Sequence, residues 1–418
     1  MTAPIRIGIV GCGRILPAHL RGMRLLREAG RDDFRVTALV ARQADDALAF
    51  RRRGEGPPQR NPVTTNPNDA LGAPQIYVSD FQPEESPAIF TSVDAMLASG
   101  LVDAVSITAT VGVHHTLGLP VLDAGKHLMV EKPLAITVRA GQLLVDAAER
   151  NGLALGVMEV VRYDEVFRIA RWLIDRGELG DVQMIASVAI GTGDWSPDRV
   201  VGNTPWRHRK VEAGGGASLD IGVHLAHDVR YLAGEVRAVS ALTRIFEPER
   251  EVRGDVPLNG TRHRADVDDA FFALLDFESG AAGMLSFTWA GHGEPTSLPG
   301  GLTIYGTRGC VKGPLLVRDG GERVDLREHF AATADAADVA RVFPWGIRER
   351  FGQAFADWLD AIHAGGQPET NGMEGLRDLA TAYAIPEASL AGRPVRVDDV
   401  LRGEVAAYQQ EINAYYRL

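Results

Sequence analysis

The first 150 residues alternate short apolar runs with stretches whose apolar positions recur every three or four residues. Residues 5–10 form an apolar run that predicts a strand and ends in Gly11-Cys12-Gly13. The next stretch carries apolar residues at helical spacing: Leu16, Leu20, Met23 and Leu26. Gly30 follows as a helix stop, and residues 34–40 predict a second strand. This order of strand, glycine turn, helix and strand is typical of a βαβ unit.

The same alternation continues further along the chain. Residues 102–108 are rich in β-branched and small apolar residues, as are strands that are buried on both faces. A helix over 115–124, a strand over 127–130 and a helix over 139–151 follow. The sequence therefore predicts a doubly wound parallel sheet, a Rossmann domain, over residues 1–150.

From about residue 153 the pattern becomes that of an antiparallel sheet. Predicted strands lie at 181–192, 235–246, 268–277, 281–290 and 301–306. Glu278-Ser279-Gly280 predicts a hairpin turn, and consecutive hairpins with helices on one side form an open, mostly antiparallel sheet. A later helical stripe is typical of core packing: Phe351, Phe355, Trp358 and Ile362. We therefore predict an α/β protein whose second domain, over residues 151–418, is α+β.

The composition excludes several classes of partner. The chain has 418 residues and a net charge of −11, and an acidic protein is a poor match for the phosphate backbone of a nucleic acid. Cys12 and Cys310 cannot build a disulfide framework, so a reducing compartment is expected. The N-terminus lacks the features of a signal peptide, and no apolar run reaches the roughly 18–20 residues that span a bilayer. We expect a cytoplasmic protein without nucleic-acid or membrane partners.

A candidate phosphate-binding turn lies between the first strand and the first helix. Its first glycine permits a tight turn, and its second lets the backbone approach a pyrophosphate that rests on the helix N-terminus. A strict G-x-G-x-x-G motif would have its third glycine at Leu16, and Gly8 supplies an upstream glycine instead. In this context we predict dinucleotide binding. The predicted turn residues are Gly11, Gly13, Arg14 and Ile15.

The end of the second strand reads Leu39-Val40-Ala41-Arg42. A carboxylate at this point normally accepts hydrogen bonds from the adenosine ribose, and here Ala41 stands in its place. Arg42 beside it is a candidate ligand for a 2′-phosphate, which favours NADP over NAD or a tolerance of both. The alternative is that Arg42 is simply solvated.

Residues 51–88 interrupt the first domain with an irregular segment. Its prolines are Pro57, Pro58, Pro62, Pro67, Pro74, Pro83 and Pro87. Loops of this length inside a compact domain are uncommon and often form lids or arms. The segment is either a surface loop without a chemical role or, as the more specific alternative, a lid over the cofactor or an arm onto a neighbouring subunit.

Two further groups of residues are candidates for chemistry. Glu131-Lys132-Pro133 follows a predicted parallel strand, at the sheet edge where ligands bind, and the Lys132 ammonium can stabilise a developing alkoxide there. The alternative for Lys132 is a surface lysine in a turn. The stretch ASLDIGVHLAHDVRYL over 217–232 has polar residues at i, i+4, i+7 and i+8, which share one helix face. These residues are Asp220, His224, His227 and Asp228.

The polar helix face has three interpretations: a metal site, a proton relay, or a core helix with satisfied histidines. Asp220, His224 and either His227 or Asp228 have the ligand types for three positions of a metal site, with water in the fourth. Ligand types at helical spacing are weak support, and we predict no metal. The rest of the chain favours the relay.

Several segments resemble one family in the order in which they occur. They are GIVGCGRI, VDAVSITATVGVHHTLGLPVLDAGKHLMVEKPLA, RYD at 162–164, LIDRGELGDVQ and GGGASLDIGVHLAHDVRYLAG. Together they resemble the glucose–fructose oxidoreductase/inositol dehydrogenase (Gfo/Idh/MocA) family of NAD(P)-dependent oxidoreductases. The resemblance covers nearly the whole chain apart from the proline-rich insertion. Its specific elements are AGKHLMVEKPLA and DIGVH, whereas the glycine turn alone is not specific.

The resemblance implies a catalytic group of Lys132, Asp220 and His224. In this interpretation His224 is the general base that takes the hydroxyl proton while hydride leaves the same carbon for the nicotinamide. Lys132 steadies the oxyanion, and Asp220 orients the imidazole or binds a neighbouring hydroxyl. The residues predicted on the cofactor side are Thr108, Thr110, His115, Glu131 and Lys132, together with Ala41 and Arg42.

Two departures from the family pattern affect the site. The chain has Thr110-Val111-Gly112 where the family usually has Thr-Pro-Asn, and His227 where it often has aspartate. The resemblance also implies a polyhydroxylated substrate. The predicted substrate contacts are Arg162, Tyr163, Trp206, Arg207 and His227. The alternatives are that Trp206 belongs to the core and that Arg162 pairs with Asp164 or Glu165.

The leading hypothesis is a sugar or cyclitol dehydrogenase, or the corresponding keto-sugar reductase, with the direction left open. A second hypothesis is an NAD-dependent glycosidase or lyase that oxidises its substrate transiently. A third is a non-catalytic sensor, which would not need Lys132, Asp220 and His224 together. The resemblance further implies a homodimer or homotetramer, because an open sheet with one uncovered face is usually buried by a partner.

Overall fold

The computed structural model describes residues 3–66, 69–191, 197–254, 256 and 258–418. The chain divides into two compact units. The first consists of Met1–Ile136, Ala140–Tyr163 and Phe343–Gly375, and the second of Thr137–Arg139, Asp164–Val342 and Leu376–Leu418. The boundary between residues 150 and 151 that the sequence suggests stays a prediction about the domains.

In the described part of the first unit, parallel strands form a six-stranded sheet in the order β3-β2-β1-β4-β5-β6. The strands are Ile5–Val10 (β1), Phe34–Val40 (β2), Ala88–Phe90 (β3), Ala104–Ile107 (β4), His127–Glu131 (β5) and Leu155–Met158 (β6). The strand order reverses between β1 and β4, and doubly wound sheets bind their ligands at such a switch point. The predicted Rossmann fold is confirmed.

The helices of this unit are Leu16–Glu28 (α1), Ala44–Arg51 (α2), Val93–Ala98 (α3), His114–Asp123 (α4), Val138–Arg150 (α5) and Arg350–Ala364 (α12). They include the predicted ones and two short helices, α2 and α3, that were not predicted. The apolar positions that predicted α1 are fully buried, and Gly30 beyond its end has a φ of +88°. The left-handed φ is the conformation in which glycine ends helices at little cost.

Helix α12 completes the core of the first unit, although its residues lie far along the chain. Phe351, Phe355 and Trp358 of the predicted apolar stripe are at most 2% exposed and join the core around β1 and α1. A Cβ added to Gly22 of α1 would lie only 2.7 Å from the backbone nitrogen of Gly352, so the two helix backbones touch there. The stripe is core packing, as predicted, but it belongs to the first unit.

The later part of the proline-rich insertion packs onto the first unit, whereas most of residues 52–66 are exposed; Pro67 lies outside the described residues. The side-chain amide of Gln82 accepts a hydrogen bond from the N–H of Val36 in β2 and donates one to its carbonyl, both at 2.9 Å. Buried apolar side chains of the insertion join the same core: Ile76, Val78 and Phe81. The segment therefore contributes to the core rather than being a detached surface loop.

The second unit contains, among its described residues, a nine-stranded sheet in the order β16-β15-β14-β13-β7-β12-β11-β8-β17. Its strands are Val182–Ile190 (β7), Val236–Arg244 (β8), Ala270–Phe277 (β11), Ala282–Thr288 (β12), Thr296–Gly306 (β13), Gly309–Lys312 (β14), Leu315–Arg318 (β15), Arg323–Asp325 (β16) and Val395–Arg396 (β17). β7 and β12 pair in parallel, and the other neighbouring pairs are antiparallel. The expected large, mostly antiparallel sheet is confirmed.

The predicted hairpin between β11 and β12 is present, with Gly280 at a φ of +86°. Two short strands, Glu249–Glu251 (β9) and Arg262–Arg264 (β10), form a separate ribbon that the sequence pattern did not predict. Residue 192, the predicted end of the first strand of this domain, lies outside the described residues.

The remaining helices are Glu165–Asp175 (α6), Lys210–Ala213 (α7), Ala217–Asp220 (α8), Gly222–Ala233 (α9), Leu326–Thr333 (α10), Ala336–Val342 (α11), Gly372–Ala391 (α13), Val397–Leu401 (α14) and Gln410–Tyr416 (α15). Helix α9 packs against β7 and β12 of the large sheet. None of the helices in the described ranges is both long enough and apolar enough to cross a bilayer.

Candidate functional site

The glycine turn after β1 has the backbone that a phosphate site needs. Gly11 has a φ of +105°, and a Cβ added to it would lie 2.8 Å from the backbone nitrogen of Ala109. The Thr108 hydroxyl donates to the Gly11 carbonyl and ties the turn to the end of β4. A Cβ added to Gly13 would meet no atom within 4 Å, so open space lies in front of this residue. The turn therefore fits a pyrophosphate that approaches the backbone at Gly13.

The N-terminus of α1 follows directly. Ile15 occupies the N-cap position without a side-chain hydrogen bond, and Arg14 before it is exposed. A thirteen-residue helix without a side-chain cap favours an anion at this end. Gly8 has a different role: a Cβ there would lie 2.5 Å from Sδ of Met96, so this glycine allows β1 to pack against α3.

Ala41 and Arg42 follow the end of β2 in the structure, as the sequence pattern predicted. Ala41 is 8% exposed, and its N–H donates to the carbonyl of Phe90 at 3.2 Å. It offers a methyl group where a ribose-binding carboxylate is usual. Arg42 is exposed, and its contact with a 2′-phosphate stays a prediction.

Lys132 follows β5, and the preceding side chain fixes its backbone. The Glu131 carboxylate accepts a hydrogen bond from the N–H of Lys132 at 3.1 Å, and its other oxygen lies 2.5 Å from Nε2 of His19 on α1. The His19 ring packs against Phe351 and Phe355. Burial raises the pKa of the Glu131 carboxyl, but the His19 hydrogen bond and nearby positive charges more than offset this and lower the pKa overall. A buried carboxylate thus anchors the turn that carries Lys132.

His114 and His115 are the first two residues of α4. The ring nitrogens of His114 lie 3.0 Å from the carbonyl oxygen of Pro133 and 3.1 Å from that of Ala109, so its imidazole connects the loops after β4 and β5. Burial and, to a smaller extent, the adjacent His114 together lower the pKa of His115 to about 4. A neutral His115 is therefore the form present at neutral pH.

Three predicted positions meet at one edge of the first sheet. Gly11 follows the end of β1, Thr108 follows β4 and Lys132 follows β5, and these strands are neighbours in the sheet. Parallel strands bring their carboxyl ends to the same edge. The structure therefore places the cofactor turn and the candidate oxyanion ligand together within the first unit.

The polar residues between 220 and 228 do not lie on one continuous helix, as their spacing predicted, but on two. Helix α8 ends at Asp220, and α9 begins at Gly222 after Ile221, which serves as its N-cap. Asp220 and His224 are half-buried, whereas His227 and Asp228 are at most 5% exposed. The four side chains therefore lie in two different environments.

Asp220 has a cationic partner that the sequence did not reveal. The Arg207 guanidinium donates to the Asp220 carboxylate at 3.2 Å and to the Thr204 hydroxyl at 2.6 Å. Its carbon lies 4.5 Å from the centre of the Trp206 ring. Two of the predicted substrate contacts, Trp206 and Arg207, therefore form one assembly with the predicted catalytic residue Asp220.

His227 forms a buried ion-pair network. Its Nδ1 lies 2.7 Å from the carboxylate of Asp378, and that carboxylate also accepts a hydrogen bond from Arg230. Burial raises the pKa of Asp378, but the charges of His227 and Arg230 more than offset this and lower it overall. The network fixes α9 to α13, and substrate contact by His227 stays a prediction.

The start of α8 depends on a further buried carboxylate. Asp268 accepts hydrogen bonds from the N–H groups of Gly216 and Ser218 and from the Ser218 hydroxyl, at 2.8–3.2 Å. A Cβ at Gly216 would lie 1.7 Å from the Asp268 carbonyl oxygen. Burial raises the pKa of Asp268 to about 6, although its hydrogen bonds act in the opposite direction. The residues that lead into Asp220 are therefore tightly fixed.

The other predicted substrate residues lie in the first unit. Nε of Arg162 donates to Glu369 at 3.1 Å, and its pairing with Asp164 or Glu165 stays a prediction. Tyr163 is 2% exposed, and its hydroxyl donates to Asp357 at 2.7 Å. Their contact with a substrate stays a prediction.

The sequence analysis missed His19, Asp378 and the pairing of Arg207 with Asp220. His19 carried a weak signal, because a histidine inside an apolar helix stripe needs a polar partner. Within the residues that the structure describes, no group of three or more histidine, cysteine, aspartate or glutamate side chains is arranged to hold a metal ion.

Comparisons with known proteins agree with this description. The family model "Oxidoreductase family, NAD-binding Rossmann fold" matches residues 5–159, and the model "GFO/IDH/MocA C-terminal domain" matches residues 167–312. The 1,5-anhydro-D-fructose reductase of Ensifer adhaerens is 27% identical over 309 residues, which are 74% of this chain and 84% of that protein.

Two further relatives are levoglucosan dehydrogenases. That of Pseudarthrobacter phenanthrenivorans is 31% identical over 208 residues, which are 47% of this chain and 52% of that protein. A solved levoglucosan dehydrogenase in complex with NADH and levoglucosan superposes with a TM-score of 0.71 at 21% identity, and the match covers 94% of this chain and 99% of the other. At that identity the solved structure shows the fold alone.

The doubly wound parallel sheet and the matched family model identify an NAD-binding oxidoreductase. The chain belongs to the Gfo/Idh/MocA family, whose two domain models match its two parts.

Proposed function

We propose that the protein transfers a hydride between NAD(P) and a secondary hydroxyl or ketone of a sugar, a sugar derivative or a cyclitol. The observation that carries the proposal is the position of Lys132. It follows β5 at the same sheet edge as the Gly11 turn, on a backbone fixed by the buried Glu131 carboxylate. The names of the relatives, a 1,5-anhydro-D-fructose reductase and levoglucosan dehydrogenases, support a carbohydrate-derived substrate.

The bound cofactor supplies the hydride acceptor or donor at its nicotinamide ring. The residues that would hold it are those of the glycine turn, Gly11 to Ile15, with Thr108 and His115. In the oxidative direction, His224 accepts the proton of the substrate hydroxyl as the hydride leaves the same carbon. The Lys132 ammonium stabilises the oxyanion that forms. Asp220, held by Arg207, orients the imidazole or accepts a hydrogen bond from a neighbouring hydroxyl.

The neutral state of His115 is consistent with this proposal. A charged imidazolium near a nicotinamide would favour the reduced, uncharged ring, whereas a neutral side chain leaves both oxidation states bindable. The low pKa of His115, about 4, keeps this side chain neutral at working pH. Thr110 and Glu131 complete the predicted cofactor side of the site.

The test begins with purified protein titrated with NADH and with NADPH, followed by nicotinamide fluorescence. Binding of either is expected, and binding of neither would refute the proposal. A screen of sugars and cyclitols in both directions by nicotinamide absorbance then identifies the substrate. Release of a free sugar from a glycoside without net change in reduced cofactor would instead support the transient-oxidation hypothesis.

Cofactor choice is a separate part of the proposal, with NADP favoured. Replacement of Arg42 by alanine is expected to raise the Michaelis constant for NADP and to leave that for NAD nearly unchanged. Equal effects on both cofactors would show that Arg42 is only a solvated side chain.

We also propose that a second copy of the chain covers one face of the large sheet. Exposed apolar side chains lie there on adjacent strands: Met184, Leu242, Phe272, Leu274, Met284 and Tyr305. The strand register puts Phe272 opposite Leu242, Leu274 opposite Met284 and Tyr305 opposite Met184, so all six share one face. An apolar face of this kind is typical of an interface.

Light scattering measures the oligomeric state of the purified protein and so tests whether a second copy covers this face. A dimer or tetramer at micromolar concentration is expected. Leu274→Asp should shift the protein toward monomers, because it places a charge in the centre of the face. Leu390→Asp is the matched control, since Leu390 is equally exposed, at 62%, on α13 outside the sheet. A wild-type monomer would contradict the proposal.

A further inference from the structure

The proline-rich insertion reaches the glycine turn through one side chain, Arg60. Nη1 of Arg60 donates to the carbonyl of Cys12 at 3.4 Å, and Nη2 forms an ion pair with the carboxylate of Asp46 in the first turn of α2. The guanidinium therefore bridges the turn after β1 and the helix that follows β2. A segment without an assigned role thus supplies a cation beside the predicted cofactor site.

Hydrogen bonds within the insertion and to α2 hold Arg60 in its position. The backbone N–H of Arg60 donates to the side-chain amide of Gln75 at 3.0 Å, and the same amide donates to the carbonyl of Ala49 in α2 at 2.5 Å. Residues of the insertion and of the glycine turn together line a cleft around Gly13 and Arg14. The cleft is lined by Gly13, Arg14, Pro17, Phe50, Arg60 and Asn61, among others.

We propose that Arg60 is a cofactor-specificity residue that binds the adenosine 2′-phosphate of NADPH, and that Asp46 holds this guanidinium in place until the phosphate replaces it as partner. The proposal rests on the proposed dinucleotide-binding function and goes beyond the expectation for Arg42. In this proposal the proline-rich insertion determines the preference between the two nicotinamide cofactors.

The charges around the site support a phosphate. The adenosine ribose of a dinucleotide on the glycine turn extends toward the end of β2, where Ala41 offers no carboxylate to its hydroxyls. The side chains of Arg60 and Asp46 are both 42% exposed, and an ion pair with that exposure contributes little to stability. A phosphate accepts a bidentate, charge-assisted pair from a guanidinium and is the stronger partner. The exchange from Asp46 to phosphate is therefore favourable.

Removing the Arg60 side chain and removing the charge of Asp46 should have opposite effects on NADPH binding. Without Arg60 the phosphate loses a cation and keeps the repulsion of Asp46. Without the Asp46 charge that repulsion disappears, and the guanidinium has no competing anion. NADH, which has a ribose hydroxyl in place of the phosphate, should respond to neither change.

The experiment measures the dissociation constants of NADH and NADPH by nicotinamide fluorescence for the wild type, Arg60→Ala, Asp46→Asn and Arg53→Ala. Arg53 is the control, because it is an exposed arginine of the same insertion and pairs with Asp80. Arg60→Ala should weaken NADPH by about tenfold or more and change NADH less than twofold. Asp46→Asn should tighten NADPH severalfold, an increase that a misfolded protein cannot imitate. Arg53→Ala should change neither.

Adenosine 2′,5′-bisphosphate and ADP serve as competing probes that lack the nicotinamide. Arg60→Ala should weaken the bisphosphate and leave ADP unchanged. Equal effects of Arg60→Ala on NADH and NADPH, no effect on either, or weaker NADH binding in Asp46→Asn would overturn the inference. A wild type that binds NADH but not NADPH would also overturn it and leave the proposed function intact, whereas a wild type that binds neither refutes the proposed function itself.

Discussion

The two units fix their candidate site residues in different ways. In the first unit, the ends of neighbouring parallel strands set the positions of Gly11 and Lys132, and the Glu131 carboxylate, paired with His19, holds the Lys132 backbone. In the second unit, side-chain charges set them, because Asp220 is held by Arg207 and His227 by Asp378. A site fixed by backbone tolerates changes in side chains that only surround it, whereas a site fixed by charge pairs depends on both members of each pair. The predictions below test this difference.

The largest expected effect comes from the proposed reacting groups, one in each unit. Lys132→Ala and His224→Ala should each lower turnover by about 10²–10⁴-fold, because one loses the cation at the oxyanion and the other the general base. NADH binding should persist in His224→Ala. Steady-state kinetics on the identified substrate measures both. Lys126→Ala and His292→Ala are controls outside the proposed site, and a loss of less than a few-fold in either test variant would discard its assignment.

Substitutions in the glycine turn test how far the folding and the cofactor binding of the first unit depend on backbone conformation. Gly11→Ala should lower the melting temperature by several degrees and weaken NADH binding, because φ at +105° costs about 1–3 kcal/mol and the new Cβ meets Ala109. Gly13→Ala should weaken NADH binding while leaving the melting temperature unchanged, since the added Cβ meets no protein atom.

The control for both glycine variants is Gly366→Ala, where a Cβ would also meet no atom within 4 Å. Calorimetry and a cofactor titration on the same samples separate folding from binding. A Gly11→Ala protein that melts and binds like the wild type would show that this turn does not depend on its backbone conformation.

Arg207→Ala should lower kcat/KM by about tenfold, because the Asp220 carboxylate loses a charge-assisted hydrogen bond. Arg207→Lys should recover part of the activity through its charge, and the dissociation constant of NADH should not change. Arg209→Ala is the matched control, since Arg209 is exposed and pairs with Glu212. If the lysine variant were as inactive as the alanine variant, the geometry of the guanidinium rather than its charge would control Asp220.

The smallest effect concerns the pH dependence of stability in the second unit. The pKa of Asp268 is raised to about 6, so between that pH and its ordinary value the folded state binds more protons than the unfolded state. Stability from this group should therefore rise as the pH falls from about 6 toward about 4. The melting temperature of the wild type should therefore rise relative to that of Asp268→Asn as the pH falls through this range. A difference that is constant with pH would mean that the carboxyl does not titrate in this range.

The sequence predicted those features that depend on local pattern. The strands β1, β2, β4 and β5, the helix α1 and the antiparallel sheet follow from apolar period and turn residues, and the resemblance added the candidate catalytic group. The break between α8 and α9 could not be predicted from the spacing of the polar residues. The hydrogen bonds of Asp268 to the start of α8 could not be predicted either, because they come from about fifty residues away.

The charge pairs were unpredictable for a related reason. His227 meets Asp378 across 151 positions of the chain, and His19 meets Glu131 across 112. One sequence contains no information that links such distant positions. The insertion was ambiguous in the same way, because the side-chain amide of Gln82 bonds to the β2 backbone at Val36, a pairing that no periodicity indicates.

Helix α12 has a consequence for how the protein is made. The core of the first unit needs Phe351, Phe355 and Trp358, yet the rest of that unit ends at Tyr163. A ribosome that adds about 5–20 residues per second needs roughly 10–40 s to synthesise the intervening stretch. During that interval the groove on α1 around Gly22 is exposed on the nascent chain. The nucleotide-binding half is therefore translated first but completed late, and a chain truncated before residue 350 would display an apolar groove for chaperones or proteases to recognise.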